Sequence, residues 1–187
     1  MSPGGQGGPL LLDACCLINL LATGRIEEIL SPLPYRFATS RLIATTEILT
    51  IVRDLEPGAP LEREVISPAR LKAIEDLTLL DLVTDEEIAD FVRFAVELDD
   101  GEASVCASAI AHQGAVATDD RKALRVLGRV APRVPTVQTP ELFYTWARVS
   151  RANEHEIGEV LRAVRNRGQF HPRRDAPCFE WWDSHFR

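Results

Sequence analysis

The sequence predicts an α/β protein, a three-layer α/β/α sandwich with helices on both faces of a mostly parallel central sheet. Short apolar runs alternate with segments of helical periodicity along the chain. Helix-starting signals lie between these runs, among them Thr84 with Glu87 and Asn153 with Glu156. A length of 187 residues, with 45% hydrophobic and 26% charged residues, suits a globular domain with a sizeable core.

The predicted strands are short apolar runs bounded by glycine, proline or polar residues. The first, at residues 9–13, has the sequence PLLLD and follows a glycine-rich segment. The others lie at residues 35–39, 79–84, 115–118 and 136–139. Because helices are predicted between the strands, we expect most neighbouring strands to run parallel.

Glycine, proline and capping residues define the helices of the first half. Gly24 ends a hydrophobic helix at residues 16–22, and prolines end a second helix at residues 25–30. Ser40 is expected to cap a helix that runs to about residue 53. A loop is predicted at residues 54–62.

Further helices follow in the second half of the chain. Ser67 and Pro68 begin a helix that reaches about residue 77, and Thr84 caps one that ends near residue 98. Asp99 or Asp100 caps a helix at residues 102–112, which is apolar on nearly all sides and is therefore expected in the interior. The remaining helices are predicted at residues 121–127, ended by Gly128, from Thr139 and Pro140 onward, and at residues 153–167.

The chain is divided by composition into a flexible leader at residues 1–8, a domain at residues 9–149, and a basic, aromatic extension at residues 150–187. Residues 1–120 contain 8 Lys and Arg but 21 Asp and Glu, whereas residues 121–187 contain 13 and 7. This division suits a protein that gathers carboxylates in one place and holds a polyanion with another. Uneven surface charge is the alternative.

Apolar runs and cysteines indicate the compartment. The apolar runs are too short to cross a membrane, and the first nine residues have no features of a signal peptide. Cys15 and Cys16 are adjacent, and the four cysteines show no metal-ligand spacing. These features favour a reducing compartment, with the cytoplasm as the expected location.

Acidic residues stand at two predicted strand ends. Asp13 ends the first strand, and Asp119 and Asp120 follow the strand at residues 115–118. Ligands of open α/β sheets bind at the carboxyl ends of the strands, so these acids are candidates for a site. The alternative role for each of them is to cap the helix that follows.

Two glutamates extend the candidate set. Glu102 lies in the first turn of the apolar helix, where the alternative role is a favourable interaction with the helix dipole. Glu47 lies in the predicted helix that begins after Ser40, where the alternative is an exposed position. Oxygen-rich clusters suit Mg²⁺ or Mn²⁺. The four histidines are scattered without zinc spacing and are interpreted as ordinary polar residues.

Four segments resemble parts of the PIN-domain family. The segment 10–24, LLLDACCLINLLATG, resembles the opening strand and helix, and 98–111, LDDGEASVCASAIA, resembles the central helix with its D-x-G-E-A motif. The segment 114–128, GAVATDDRKALRVLG, resembles the strand that ends in the third acid, and 135–143, PTVQTPELF, resembles the closing strand and helix. The resemblance covers roughly residues 9–147.

The resemblance implies a metal-dependent ribonuclease. Its metal ligands would be Asp13, Glu102 and either Asp119 or Asp120, with Glu47 at the position of the family's helical glutamate. The cofactor would be Mg²⁺ or Mn²⁺, the substrate RNA, and the products a 5′-phosphate and a 3′-hydroxyl. Many members are toxins of bacterial toxin–antitoxin pairs, so an antitoxin partner and a homodimer are also expected.

The sequence departs from the family at Cys15, where a small polar residue is usual, and at residues 150–187, which extend beyond the usual domain. These departures leave open a module on a PIN scaffold that binds nucleic acid or protein without cutting. A phosphatase built on Asp13 ranks last, because the second aspartate of such enzymes is missing.

The extension 168–187 mixes arginines with aromatic residues. We expect Phe179, Trp181 and Trp182 to pack against the domain, because large aromatic side chains are costly to leave in water. The alternatives are that arginines and aromatics contact RNA, or that the extension is the docking site of a partner.

Overall fold

The main sheet of the computed structural model, which describes residues 7–53 and 60–187, is entirely parallel. In chain order the strands are β1 (Leu10–Leu12), β2 (Phe37–Ser40), β3 (Thr50–Val52), β4 (Arg63–Val65), β5 (Leu77–Leu80), β6 (Ala115–Ala117) and β7 (Thr136–Val137). The main sheet has the strand order β5-β2-β1-β6-β7, and β3 and β4 form a separate antiparallel pair.

Helices flank the main sheet, which gives the three-layer α/β/α sandwich and confirms the predicted fold class. In chain order they are α1 (Ala14–Ala22), α2 (Ile26–Leu30), α3 (Arg41–Thr46), α4 (Pro68–Lys72), α5 (Asp85–Ala95), α6 (Asp100–Ala111), α7 (Arg121–Val130), α8 (Thr139–Ser150), α9 (Glu154–Arg167) and α10 (Phe179–Ser184). Expected caps are present: Thr84 and Glu87 form a capping box, and the side chains of Ser40, Ser67, Asp99 and Asn153 cap α3, α4, α6 and α9.

Helix α6 lies against the centre of the sheet, in contact with β1, β2 and β6. Three of its alanines, Ala103, Ala107 and Ala109, are completely buried, and their small size lets the helix approach the strands closely. Helices α3 and α5 contact α6. The interior position expected for this segment is therefore confirmed, and its first turn lies where β1 and β6 end.

The predicted helix at residues 40–53 is wrong beyond Thr46. Glu47 has extended backbone, and the next residues form β3, which pairs with β4. Burial alternates here as it does in a strand, because Ile48 is 77% exposed whereas Leu49 and Ile51 are buried. The β-branched run from Thr50 to Val52 favours this extended conformation. Strand β4 begins at Arg63, directly after the predicted loop, in a segment for which neither a helix nor a strand was predicted.

Other boundaries differ from the predictions. The helix expected at residues 67–77 ends at Lys72, because the chain from Leu77 pairs with β2 as an edge strand. Gly128 does not end α7, which continues to Val130. Helix α10 was not predicted. Residues 1–6 of the expected leader and residues 54–59 of the expected loop lie outside the described residues.

The C-terminal extension packs against α8. Trp182 is completely buried, with its ring against those of Phe143 at 5.9 Å and Phe170 at 5.7 Å between centroids. Trp181 packs on Tyr144 at 5.3 Å. These edge-to-face contacts hold the extension in a defined position. Among the described residues, no helix combines the length and apolarity needed to cross a membrane.

Candidate functional site

Asp13 and Thr118 meet at the carboxyl ends of the two central strands. Leu12 of β1 is in register with Ala117 of β6, so the next residue of each strand lies beside the other. Thr118 Oγ1 donates a hydrogen bond of 2.8 Å to Asp13 Oδ2, and Ala14 N donates one of 2.7 Å to Oδ1. Asp13 is only 4% exposed. These contacts orient a buried carboxylate at the strand end.

Asp13 belongs to a group of acids that act on one another, here named the acid cluster: Asp13, Glu47, Asp99, Glu102 and Asp120. Burial raises the pKa of Glu47 to about 7, and the charges of Asp13 and Asp99 add to the shift. Burial also raises the pKa of Glu102 to about 7, with contributions from Asp99 and Asp120. Burial, with a smaller effect of Asp99, raises the pKa of Asp13. The negative charges of the acid cluster therefore repel one another.

Glu47 reaches the acid cluster from the end of α3 by lying against the backbone of α6. A Cβ atom on residue 101 would overlap with Glu47 Oε1, so Gly101 leaves the room that the carboxylate occupies. The glutamate was predicted within a helix, whereas it stands at the point where α3 ends and the chain turns toward β3. Its place in the site thus depends on the turn and on Gly101.

No described residue compensates the charges of the acid cluster. The ion pairs of the described arginines lie elsewhere, and no described Lys or Arg pairs with a member of the acid cluster. The carboxylates of Glu47 and Glu102 accept no hydrogen bond from a described residue, and neither does Oδ2 of Asp120. Carboxylate oxygens of Glu47, Glu102 and Asp120 therefore lack a partner among the described residues, although the charges of the acid cluster act on one another. Such a donor set fits a hard divalent cation.

Asp119 and Asp120, which spacing could not distinguish, have different surroundings. Asp119 Oδ1 accepts a 2.9 Å hydrogen bond from Thr139 N, and its Oδ2 accepts one of 2.5 Å from Thr139 Oγ1. Asn19 Nδ2 also donates to Oδ2 at 3.4 Å. Asp120 Oδ1 caps α7 by accepting from Lys122 N at 2.6 Å, and the charge of Asp120 contributes to the raised pKa of Glu102. The structure thus ties the Asp119 carboxylate to the start of α8 and brings Asp120 to the acid cluster.

Asp99 was predicted only as a helix cap. Its Oδ1 does accept a hydrogen bond of 2.9 Å from Glu102 N, but its charge also acts on Asp13, Glu47 and Glu102. The crowding of acids in the segment Asp99-Asp100-Gly101-Glu102 was the available signal. The position of Asp99 in the sequence could not show that its carboxylate also acts on the other acids near the strand ends.

Comparison with models of protein families, with curated proteins and with solved structures gives no match. The similarity to PIN domains is therefore carried by the motifs alone. The geometry of the acid cluster stands independently of that similarity.

A second group combines Asp119, which was predicted as a metal ligand, with Cys15 and Cys16, which were not because the cysteines show no metal-ligand spacing in the sequence. The sulfur atoms of Cys15 and Cys16 and a carboxylate oxygen of Asp119 lie within 4.8 Å of one another, so these residues could hold a metal ion. Cys16 is completely buried, and burial raises the pKa of its thiol well above the usual range. Cys15 Sγ donates a hydrogen bond of 3.3 Å to Asp13 Oδ2. The thiol at position 15 thus supplies a hydrogen bond to the buried aspartate.

Proposed function

We propose that the protein is a Mg²⁺- or Mn²⁺-dependent endoribonuclease that hydrolyses phosphodiester bonds of RNA. The observation that carries the proposal is the acid cluster, in which carboxylates near the strand ends act on one another's pKa and have no ion pair with a described Lys or Arg. The motifs shared with PIN domains supply the reaction class.

The residues that would hold the metal are Asp13, Glu102 and Asp120, with Asp99 and Glu47 beside them. Asp119, also a candidate ligand by sequence, is bound to Thr139 through both carboxylate oxygens and is the weaker candidate. A divalent ion at such a site polarises the phosphate and lowers the pKa of an attacking water.

The chain's own residues position these groups. Thr118 and Ala14 hold the Asp13 carboxylate in one orientation, and the N–H groups at the start of α7 hold that of Asp120. Glu47, whose carboxylate has no hydrogen-bond partner among the described residues, can accept a hydrogen bond from the attacking water. The buried position of Asp13 strengthens every electrostatic interaction made there.

A metal-dependence assay on labelled single-stranded RNA tests the proposal. Wild-type protein is expected to cleave with Mn²⁺ or Mg²⁺ and to stop in EDTA. Asp13→Asn and Glu102→Gln should each lose more than about 100-fold, because even outer partners of metal ligands contribute about 10- to 100-fold. Asp100→Asn, which removes a charge from the exposed side of the same helix turn, is the matched control and should cleave normally.

Cleavage that persists in EDTA, or in Asp13→Asn after removal of contaminating nucleases, would place the reaction elsewhere. Metal binding without cleavage would favour the second candidate, a module on the same scaffold that binds nucleic acid or protein. This candidate is motivated by Cys15, which stands where PIN domains usually have a small polar residue.

The proposal extends to a toxin that is neutralised by an antitoxin protein. Expression in bacteria should then arrest growth with the wild type and not with Asp13→Asn.

A further inference from the structure

The C-terminal extension lies at the same edge of the sheet as the candidate site. A small cavity is bounded by Asp119 and Gln138 on the domain side and by Phe170, His171 and Arg173 on the extension side. The charge of Arg173 acts on Asp119, and that of Arg121, the residue after Asp120, acts on Asp175. The arginine-bearing loop of the extension therefore runs directly beside the strand ends that carry the acids.

A larger cavity of about 490 Å³, here named the tail cavity, continues from this point and shares His171, Pro172 and Arg173 with the small one. Its remaining lining is formed by Arg174, Phe179, Glu180, Asp183 and Arg187. Cavities of this size accommodate small organic ligands, including single nucleotides. Helix α10 supplies Phe179, Glu180 and Asp183 to this lining, and the completely buried Trp182 anchors the helix on the domain.

Two of the three arginines that line the tail cavity form ion pairs. Arg187 pairs with Asp183 at 2.8 Å and with Glu180 at 3.7 Å, and Arg173 pairs with Asp175 at 3.0 Å. Arg174 is exposed and has no hydrogen bond or ion pair with any described residue. A guanidinium in this situation is available to bind a phosphate in two-pronged geometry.

Aromatic side chains complete the lining. The rings of His171 and Phe179 lie 6.2 Å apart between centroids at an angle of 58°, and both border the tail cavity. Phe179 is only half-buried, although its neighbour Trp182 is completely buried. A partly exposed aromatic ring beside an arginine is the arrangement on which unpaired bases stack in proteins that bind single strands.

We propose that the tail cavity binds one nucleotide of single-stranded RNA next to the phosphate that the acid cluster addresses, with Arg174 on a phosphate and Phe179 under the base. This assignment rests on the proposed function for its substrate class. It adds a binding role for the extension, which lies outside the segments that resemble a known family. Packing of the extension and RNA binding are then compatible, because the buried Trp182 holds the arginines in place.

Binding is measured without cleavage, by fluorescence anisotropy of a labelled oligouridine in EDTA at two salt concentrations. Arg174→Gln should weaken binding by about 3- to 10-fold and reduce the slope of log K against log salt by about 0.7, the value for one lost phosphate contact with a single strand. Phe179→Ala should weaken binding by about 5- to 150-fold with little change in that slope.

Arg133→Gln is the matched control. Arg133 is exposed, has no partner among the described residues, and lies before β7 at the opposite edge of the sheet. Its replacement should leave RNA affinity within twofold of the wild type. Equal affinities for Arg174→Gln and Arg133→Gln would overturn the proposal, whether or not the wild type cleaves RNA. Polyglutamate serves as a probe for an acidic protein segment. If Arg174→Gln lost polyglutamate binding but kept RNA binding, the proposal would also be overturned, and the cavity would be assigned to an acidic protein segment.

The outcome is distinguishable from failure of the proposed function. Loss of RNA binding in Arg174→Gln would support the cavity assignment even if Asp13→Asn and the wild type showed the same lack of cleavage. Because Phe179 is partly buried, a thermal melt accompanies that variant. If Phe179→Ala is unstable, the RNA affinity of Arg174→Gln still tests the proposal, because Arg174 is exposed and its replacement removes no buried contact.

Discussion

Glu47 Oε1 occupies the space that a side chain at position 101 would need, so Gly101 in α6 admits a carboxylate that belongs to a different helix end. This relationship joins the end of α3 to the first turn of α6. It also gives a role to a glycine in a buried helix, where alanine would ordinarily be more stable.

Gly101→Ala is expected to displace the Glu47 carboxylate and to weaken Mn²⁺ binding, measured by calorimetry. Gly128→Ala is the matched control, because Gly128 lies in α7 and a Cβ atom at this position would meet no other atom within 4 Å. That change should raise the free energy of unfolding by about 0.5–1 kcal/mol and leave Mn²⁺ binding unchanged. Equal gains in stability from both substitutions, with unchanged metal affinity, would contradict the proposed close approach.

The metal-free protein is expected to become less stable as the pH rises. Burial raises the pKa of both Glu47 and Glu102 from 4.5 to about 7 in the folded state. The folded protein thus binds more protons than the unfolded chain between these values, so this contribution to stability is present below pH 4.5 and is lost as the pH rises through about 7.

Urea unfolding in EDTA at pH 5.5 and pH 8 measures this effect. The Glu47→Gln/Glu102→Gln double variant should show a smaller loss of stability between the two pH values than the wild type. Mn²⁺ should raise the melting temperature of the wild type more at pH 8 than at pH 5.5, because it binds the ionised carboxylates. Identical pH profiles for the wild type and the double variant would contradict the shift.

Asp119 and Asp120 are expected to respond differently to the same substitution. Asp120→Asn keeps an N-cap of similar quality and removes a negative charge that faces Glu102, so Mn²⁺ affinity should fall more than stability. Asp119→Asn replaces an oxygen that accepts from Thr139, and should lower the free energy of unfolding by about 1.5–3 kcal/mol. Parallel calorimetry and urea unfolding compare the two, and the reverse ranking would restore Asp119 as the principal ligand.

Trp182 is expected to contribute much of the stability of the extension. Trp182→Ala should lower the free energy of unfolding by about 3–5 kcal/mol, because its side chain is completely buried. Its Nε1 has no hydrogen-bond partner within the described part of the chain, so Trp182→Phe should cost much less and is the matched control. Chemical unfolding measures both. A truncation at Gly168 with an unchanged melting temperature would show that the extension does not stabilise the domain.

The alternation of apolar runs and capped helices was sufficient to predict the α/β/α sandwich. These signals are local: three buried leucines before Asp13, a capping box at Thr84 and a buried alanine-rich helix each act within a few residues. The positions of Asp13 and Thr118 at the carboxyl ends of parallel strands follow from the same pattern. That part of the site was predictable because parallel strands end at a common edge.

The rest of the site depends on contacts between distant segments. Glu47 was expected on a helix, and its actual position follows from the end of α3 and from the pairing of β3 with β4. The different surroundings of Asp119 and Asp120 depend on where α8 begins relative to β6, which residue spacing does not encode. Sequence determined which acids stand at strand and helix ends, because that depends on local propensity and capping. Tertiary structure alone decided which carboxylates face one another, because side-chain direction depends on strand register and on helix packing across the sheet.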